Sequence, residues 1–255
     1  MIDAAAANLR DVALLRGPLG RAPALEIAVA AALLDAAARG GGPVVRVYRP
    51  PATVAFGRQD RFAGGFAAAA AAARAHGFTP VLRAPGGQAA AYDGGALVLD
   101  EVMSETDSIA GIHHRFAEHA ERQARALRTL GVDARVGRVP GEYCPGDFTV
   151  SSAGRRKLIG TAQRVVRGAW LFSTVVIVEG TQRIRPVLED VYSALGLEWD
   201  PQTVGAVADD VPGVSIDDLQ QALLDSYADR FRFVAATASP EIIAAAERSI
   251  DRYEV

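Results

Sequence analysis

The sequence contains almost no lysine. Of its 27 basic residues, Lys157 is the only lysine and all the others are arginines. A chain rich in alanine, glycine and arginine is typical of GC-rich coding, under which lysine drifts to arginine wherever arginine serves. A lysine that persists predicts a site that needs a compact ammonium, for example one inserted between two oxygens, rather than a planar guanidinium. Survival by chance is the competing interpretation, and the composition leaves both open.

Cysteine and long apolar runs are also scarce. Cys144 is the only cysteine, which excludes an internal disulfide and a cysteine-cluster metal site and suits a reducing cytoplasm. No run of 18 apolar residues occurs, so no membrane span is expected. Residues 1–20 are charged and interrupted by Gly17-Pro18, which argues against a signal peptide. With a net charge of −3, a nucleic-acid partner is not expected either.

The order of predicted elements indicates an α+β fold. Helices are predicted at 23–39, 63–76, 107–130, 185–195, 215–230 and 239–253. Strands are predicted at Val44–Arg49, Thr53–Phe56, Thr79–Arg83, Ala96–Leu99, Val150, Leu158–Val166 and Trp170–Val178. Uneven helices between the strands favour a mixed, largely antiparallel sheet flanked by helices over a regular βαβ repeat. We expect one domain over residues 1–181, with residues 182–255 as a helical segment packed on it.

A glycine-rich loop follows one predicted strand. Arg83 ends the strand, and Pro85-Gly86-Gly87-Gln88 and a run of alanines come next. Adjacent glycines let a backbone approach a ligand closely and present N–H donors, and Arg83 suits a phosphate or carboxylate. The spacing fits neither a Walker A motif nor GxGxxG. A tight turn without a ligand is the alternative.

Lys157 begins a strand with an unusually small face. Gly160 and Ala162 lie two residues apart, so they share one side of that strand and leave a slot for an extended apolar substrate. The alternative is a surface lysine with small residues packed under a helix. Cys144 precedes it in a Pro/Gly-rich loop, where it is either a buried inert thiol or, beside a cation, a nucleophile.

Together these segments resemble the lipoate–protein ligase and octanoyltransferase family, within the biotin/lipoate ligase superfamily. The resemblance runs from about Thr53 to Val178. Gly57-Arg58-Gln59 matches the end of the family's early strand, residues 83–93 match its Gly-Gly loop, and Lys157-x-x-Gly160-x-Ala162 matches its lysine motif. The chain departs from the loop pattern in having Pro85 for Ser/Thr, Gln88 for a third glycine, Ala90 for valine and Tyr92-Asp93 for His-Asp.

The resemblance implies a site and an acyl-transfer chemistry. Lys157 would be the catalytic cation, which bridges the acyl carbonyl and a phosphate and stabilises the negative charge that grows on the carbonyl oxygen. The acyl and cofactor site would be formed by Arg83, Gly86, Gly87, Gln88, Ala89, Ala90, Tyr92, Asp93, Gly160, Thr161 and Ala162. The acceptors would be lipoyl-domain proteins, namely 2-oxoacid dehydrogenase E2 and the glycine cleavage H protein.

Three functions stay open at this point. The family pattern favours a ligase that uses ATP and Mg²⁺ to adenylate lipoate (or octanoate) before passing it to a lysine. The second is a cysteine-dependent octanoyltransferase, in which Cys144 takes octanoate from acyl carrier protein, because the cysteine type of this family places its nucleophile in the loop before the lysine motif. The third is a non-catalytic binding homologue, against which retention of the only lysine argues.

Overall fold

The computed structural model describes residues 9–255, and the first eight residues of the segment considered for a signal peptide lie outside the described residues. The strands are β1 (Arg10–Arg16), β2 (Val44–Tyr48), β3 (Thr53–Phe56), β4 (Thr79–Leu82), β5 (Ala90–Tyr92), β6 (Ala96–Ser104), β7 (Ala134–Val136), β8 (Val150–Ser152), β9 (Arg156–Val166), β10 (Ala169–Ile177) and β11 (Phe231–Ala236). The helices are α1 (Pro23–Ala38), α2 (Phe66–Ala75), α3 (Ile112–Thr129), α4 (Thr181–Leu195), α5 (Ile216–Asp225) and α6 (Pro240–Glu247).

Two sheets organise these elements. The larger has the strand order β11-β1-β2-β6-β10-β9-β8-β7, and the smaller has the order β4-β3-β5. In the larger sheet β1 runs parallel to both β2 and β11, while every other pairing is antiparallel. The α+β prediction, with a mixed and largely antiparallel sheet flanked by helices, is confirmed. The smaller sheet carries the glycine-rich loop, which joins β4 to β5.

The two faces of the larger sheet have different contents. One face, with Leu97, Phe172 and Val176, joins the main core under α3 and α5. On the other face, Gly160 lies opposite Val175 and Ala162 lies opposite Ser173. Side chains alternate along a strand, so these small and medium residues share one face. That face is therefore only partly filled.

Residues 182–255 contain the expected helices and one strand that was not expected. The short strand β11 pairs in parallel with β1 at the edge of the larger sheet. The prediction for residues 182–255 gave three helices and did not include β11. The segment that forms β11 is short, and this strand is stabilised by a partner strand more than 200 residues away in the sequence. The division of the chain at residue 181 stays a prediction.

Candidate functional site

The glycine-rich loop and the loop between β7 and β8 (residues 137–149, the Cys144 loop) meet at a cavity of about 770 Å³. The floor of the cavity is the partly filled sheet face, and α1 and the start of α3 form its walls. Of the residues predicted for the site, the cavity is lined by Arg83, Gly86, Gly87, Ala90, Tyr92, Cys144, Lys157, Gly160, Thr161 and Ala162. Segments far apart in the sequence are thus brought to one place.

Cys144 is held in an uncommon backbone conformation with its sulfur against the glycine-rich loop. Its φ is +42°, in the left-handed region that costs a non-glycine residue on the order of 1–3 kcal/mol. The Gln88 N–H donates to the Cys144 Sγ at 3.2 Å, and the Arg83 Nη2 lies 3.6 Å from the same sulfur. A backbone N–H and a guanidinium are thus both directed at one sulfur. The strain is thus stored where a nucleophile would be needed.

Two glycines allow this close approach. A Cβ at Gly57, in the Gly57-Arg58-Gln59 segment, would come within 1.6 Å of the Gly87 carbonyl oxygen. At Gly87, where φ is +99°, a Cβ would meet the Arg83 Nη2 at 2.5 Å and the Cys144 Sγ at 3.0 Å. Any other residue at these two positions would push the loop off the sulfur.

Lys157 is buried, and its ammonium is directed at the Cys144 loop. Its Nζ donates to the Tyr143 carbonyl at 3.1 Å and to the Cys144 carbonyl at 2.7 Å, and it lies 3.0 Å from Glu142 Oε2. The three protons of the ammonium thus have three oxygen acceptors around one point. A planar guanidinium cannot match that arrangement, which gives a physical reason for the only lysine of the chain.

Glu142 is a buried carboxylate that the sequence analysis did not select. Its Oε1 accepts from the Val139 N–H at 3.1 Å and from the Gly146 N–H at 3.4 Å. Its Oε2 accepts from the Thr149 hydroxyl at 2.7 Å and pairs with Lys157. These partners lie on both sides of Cys144, so one carboxylate fastens both ends of the loop. A glutamate two residues before the only cysteine was the available signal.

Tyr192, on α4, was also not selected. Its hydroxyl accepts from the Cys144 N–H at 2.8 Å and donates to the Ala89 carbonyl at 2.9 Å. Burial raises the pKa of this phenol well above its ordinary value, with the neighbouring Cys144 charge adding to the shift. The hydroxyl therefore keeps its proton and links the cysteine loop to the glycine-rich loop.

Three predicted site residues do not line the cavity. The main-chain N–H of Gln88 donates to the Cys144 Sγ. Ala89 is fully buried, and its carbonyl accepts from the Tyr192 hydroxyl. Asp93 accepts from the Gly95 N–H at 2.9 Å and lies 3.3 Å from Arg183, which is the pattern of a turn between β5 and β6. Binding roles for Gln88, Ala89 and Asp93 stay predictions, and the contacts seen for Ala89 and Asp93 are structural.

The cavity floor also has a polar position. Asp100 lies opposite Ser173 on the neighbouring strand, and the Ser173 hydroxyl donates to its Oδ1 at 2.5 Å. Burial raises the pKa of Asp100, although Arg46 and the Ser173 hydrogen bond oppose the shift. Within residues 9–255 no group of three or more His, Cys, Asp or Glu side chains is arranged to hold a metal ion. In the same range no helix is long and apolar enough to cross a membrane.

Comparison with solved structures places this architecture in the lipoate ligase fold. A protein from T. acidophilum with bound lipoic acid superposes with a TM-score of 0.74 and 24% identity, covering 95% of this chain and 96% of that one. A lipoate-protein ligase A bound with ATP superposes with a TM-score of 0.71 and 23% identity, covering 96% and 95%. At these identities the likeness establishes the fold.

The family model of the lipoyl protein ligase A/B catalytic domain matches residues 22–228. The chain therefore belongs to this family of enzymes, and the resemblance seen in the sequence is confirmed. A curated relative from Geobacillus kaustophilus is 30% identical over 67% of this chain and 60% of its own length. A second, from Exiguobacterium sibiricum, is 34% identical over 60% of this chain and 56% of its own length. Both are named octanoyl-[GcvH]:protein N-octanoyltransferase, and this chain spans less than two thirds of either.

Proposed function

We propose that the protein is a cysteine-dependent octanoyltransferase that moves an octanoyl group from the glycine cleavage H protein to a lysine of another lipoyl-domain protein. The observation that carries the proposal is the Cys144 sulfur at the cavity, with the Gln88 N–H at 3.2 Å and the Arg83 guanidinium at 3.6 Å. An inert buried thiol needs neither donor. The names of the two curated relatives supply the donor, octanoyl-[GcvH], and a protein as acceptor.

The chemistry balances without ATP. In the first half, the Cys144 thiolate attacks the carbonyl carbon of the octanoyl amide, so a C–S bond forms and the C–N bond to the donor lysine breaks. The departing amine takes up a proton. In the second half, the acceptor lysine amine attacks the thioester, a C–N bond forms, and the C–S bond breaks to return the thiolate. The proton lost by the acceptor amine replaces the one taken by the donor amine.

The cavity gives the acyl chain a place during both halves. Gly160 and Ala162 leave room on β9, and Val98 and Val175 offer apolar contact on the neighbouring strands. Burying the chain holds the reacting carbonyl at the sulfur, which converts a bimolecular encounter into a positioned one. The residues that line the cavity thus serve as the acyl site, and Cys144 serves as the catalytic residue.

One experiment distinguishes the cysteine-dependent transferase from an ATP-dependent ligase. An E2 lipoyl domain is incubated with the protein in three reactions: octanoyl-H protein without ATP, octanoyl–acyl carrier protein without ATP, or lipoate with ATP and Mg²⁺. Intact mass reports modification of the domain. Cys144→Ser and Lys157→Arg are run beside the wild type.

We expect an octanoyl mass gain in the first reaction, an octanoyl thioester on the wild-type protein, and loss of both in Cys144→Ser. A gain only from acyl carrier protein would correct the donor but keep the cysteine mechanism. A lipoyl gain only with ATP that survives Cys144→Ser would establish the ligase instead. The absence of any gain would leave the non-catalytic homologue.

A further inference from the structure

Glu142, in the Cys144 loop, and Lys157, on β9, form a buried ion pair. Neither charged group of this pair contacts the Cys144 sulfur. Glu142 is 4% exposed and Lys157 is 3% exposed. The ammonium is directed at two main-chain carbonyls of the loop, those of Tyr143 and Cys144, and the carboxylate is directed at two main-chain N–H groups, those of Val139 and Gly146. Both members of the pair therefore act on the backbone that presents the nucleophile.

The hydrogen bonds of this pair help to hold Cys144 in a backbone conformation that is unfavourable by itself. Cys144 holds a positive φ, which an L residue leaves unless its surroundings over-determine it. The carbonyl on Lys157 and the N–H on Tyr192 belong to the same residue, so both of its peptide groups are fixed. Since Glu142 supplies the charge that keeps the ammonium buried in place, removing it would release the carbonyl of Cys144.

We infer that Glu142 is a positioning residue for Cys144, and that Lys157 acts chiefly through the loop rather than on the acyl carbonyl. All three protons of the ammonium have acceptors within the protein, so contact with a substrate oxygen would require one of those bonds to break. The donors nearest the sulfur are the Gln88 N–H and Arg83 instead. This inference rests on the proposed function for its readout of transfer.

The test is a double-mutant cycle of Glu142→Gln and Lys157→Met, with Glu101→Gln as the matched control. Glu101 is also fully buried and paired with a basic side chain, since its Oε2 lies 3.0 Å from His119 Nε2, but it faces the core under α3. For each variant three quantities are measured: kcat and KM of octanoyl transfer, the second-order rate of Cys144 alkylation by iodoacetamide, and the free energy of unfolding.

We expect Glu142→Gln to lower kcat by roughly 100-fold, the cost of misplacing a reacting group by about 1 Å, with little change in KM. Alkylation should slow as well, because the sulfur leaves the position in which the Gln88 N–H and Arg83 are directed at it. The double variant should be no worse than the poorer single variant, since the two residues act as one unit. Glu101→Gln should lower stability while leaving transfer and alkylation within about twofold of wild type.

Two results would overturn the inference. One is a Glu142→Gln protein that transfers and alkylates like the control. The other is a Lys157→Met protein that loses transfer yet alkylates normally, with effects that multiply in the double variant, because the lysine would then act on the substrate by itself. Failure of the wild type to form an octanoyl thioester would instead count against the proposed function. The alkylation cycle needs no acyl donor and still decides whether Glu142 positions the thiol.

Discussion

The two faces of the larger sheet are made by the same strands and are used differently. On the core face, Phe172 is fully buried, with its ring 4.0 Å from that of His119 and 5.3 Å from that of Phe116. On the cavity face, the neighbouring positions are Ala162, Ser173 and Gly160, and the space above them is open. Because successive residues of a strand point to opposite faces, one stretch of sequence serves both purposes. Large residues in that stretch supply stability, and small ones supply room.

The two faces also treat a buried carboxyl group differently. Asp100 and Glu101 are adjacent on β6, and both are almost fully buried. Burial raises the pKa of Asp100, which has Arg46 at 3.8 Å and a serine hydroxyl. Burial pushes the pKa of Glu101 upward too, but His119 at 3.0 Å, aided by Tyr227 and Arg230, outweighs it and the net shift is downward. Burial alone therefore does not set the charge state, because the partner groups decide the direction.

The largest effect is expected from a substitution on the core face, and it is an effect on stability. Phe172→Ala should lower the free energy of unfolding by about 3–5 kcal/mol, because it removes a large buried ring and leaves a cavity. Urea unfolding measures the loss. The relative rates of transfer of octanoyl and shorter acyl groups, measured on the folded fraction, should not change. A change in chain-length preference would mean that the two faces are not independent.

A smaller effect is expected on the cavity face. Ala162→Leu adds bulk to the floor and should reduce transfer of octanoyl relative to a four-carbon acyl group by about 10–200-fold. The free energy of unfolding should change little, because the side chain enters open space. Competition between two acylated H proteins, followed by intact mass of the product, gives the ratio. Equal losses for both chain lengths would show that Ala162 is not beside the distal part of the chain.

Local patterns in the sequence predicted much of this arrangement. The strand at Thr53–Phe56 was predicted with the bounds observed, and helix α1 was predicted one residue too long. Both are largely apolar runs bounded by prolines or glycines, namely Pro23 and Gly40 for the helix and Pro51 and Gly57 for the strand. The shared face of Gly160 and Ala162 follows from strand alternation alone, and the register confirms it. Trp170 and Phe172, which alternate along the predicted strand, both lie in the main core.

Features that depend on distant contacts were missed. Strands β1 and β11 pair with each other across most of the chain, and neither was predicted. Helix α3 begins at Ile112 rather than at residue 107, since residues 106–111 form a turn in which the Ser108 carbonyl accepts a hydrogen bond from Arg115. The role of Glu142 requires knowing that Lys157 and Thr149 fold back onto it. Such contacts are set by tertiary structure, and no local pattern encodes them.

The smallest effect expected is on the pH dependence of stability, and its sign should differ between the two adjacent carboxyl groups. The pKa of Asp100 is raised in the folded protein, so its contribution is largest below the ordinary value of 3.8 and is lost as pH rises through the folded pKa. The pKa of Glu101 is lowered, so its contribution is present above 4.5 and is lost as pH falls through the folded pKa. A tenfold difference in proton affinity between the folded and unfolded states corresponds to about 1.4 kcal/mol of stability.

Asp100→Asn should therefore gain stability relative to wild type as the pH rises above 3.8, and Glu101→Gln should lose stability relative to wild type as the pH rises towards 4.5. Unfolding by urea at a series of pH values measures both differences. The two curves should slope in opposite directions. Parallel curves would mean that burial alone governs both carboxyl groups, so that the His119 pair on the core face and the Ser173 contact on the cavity face make no difference to their charge.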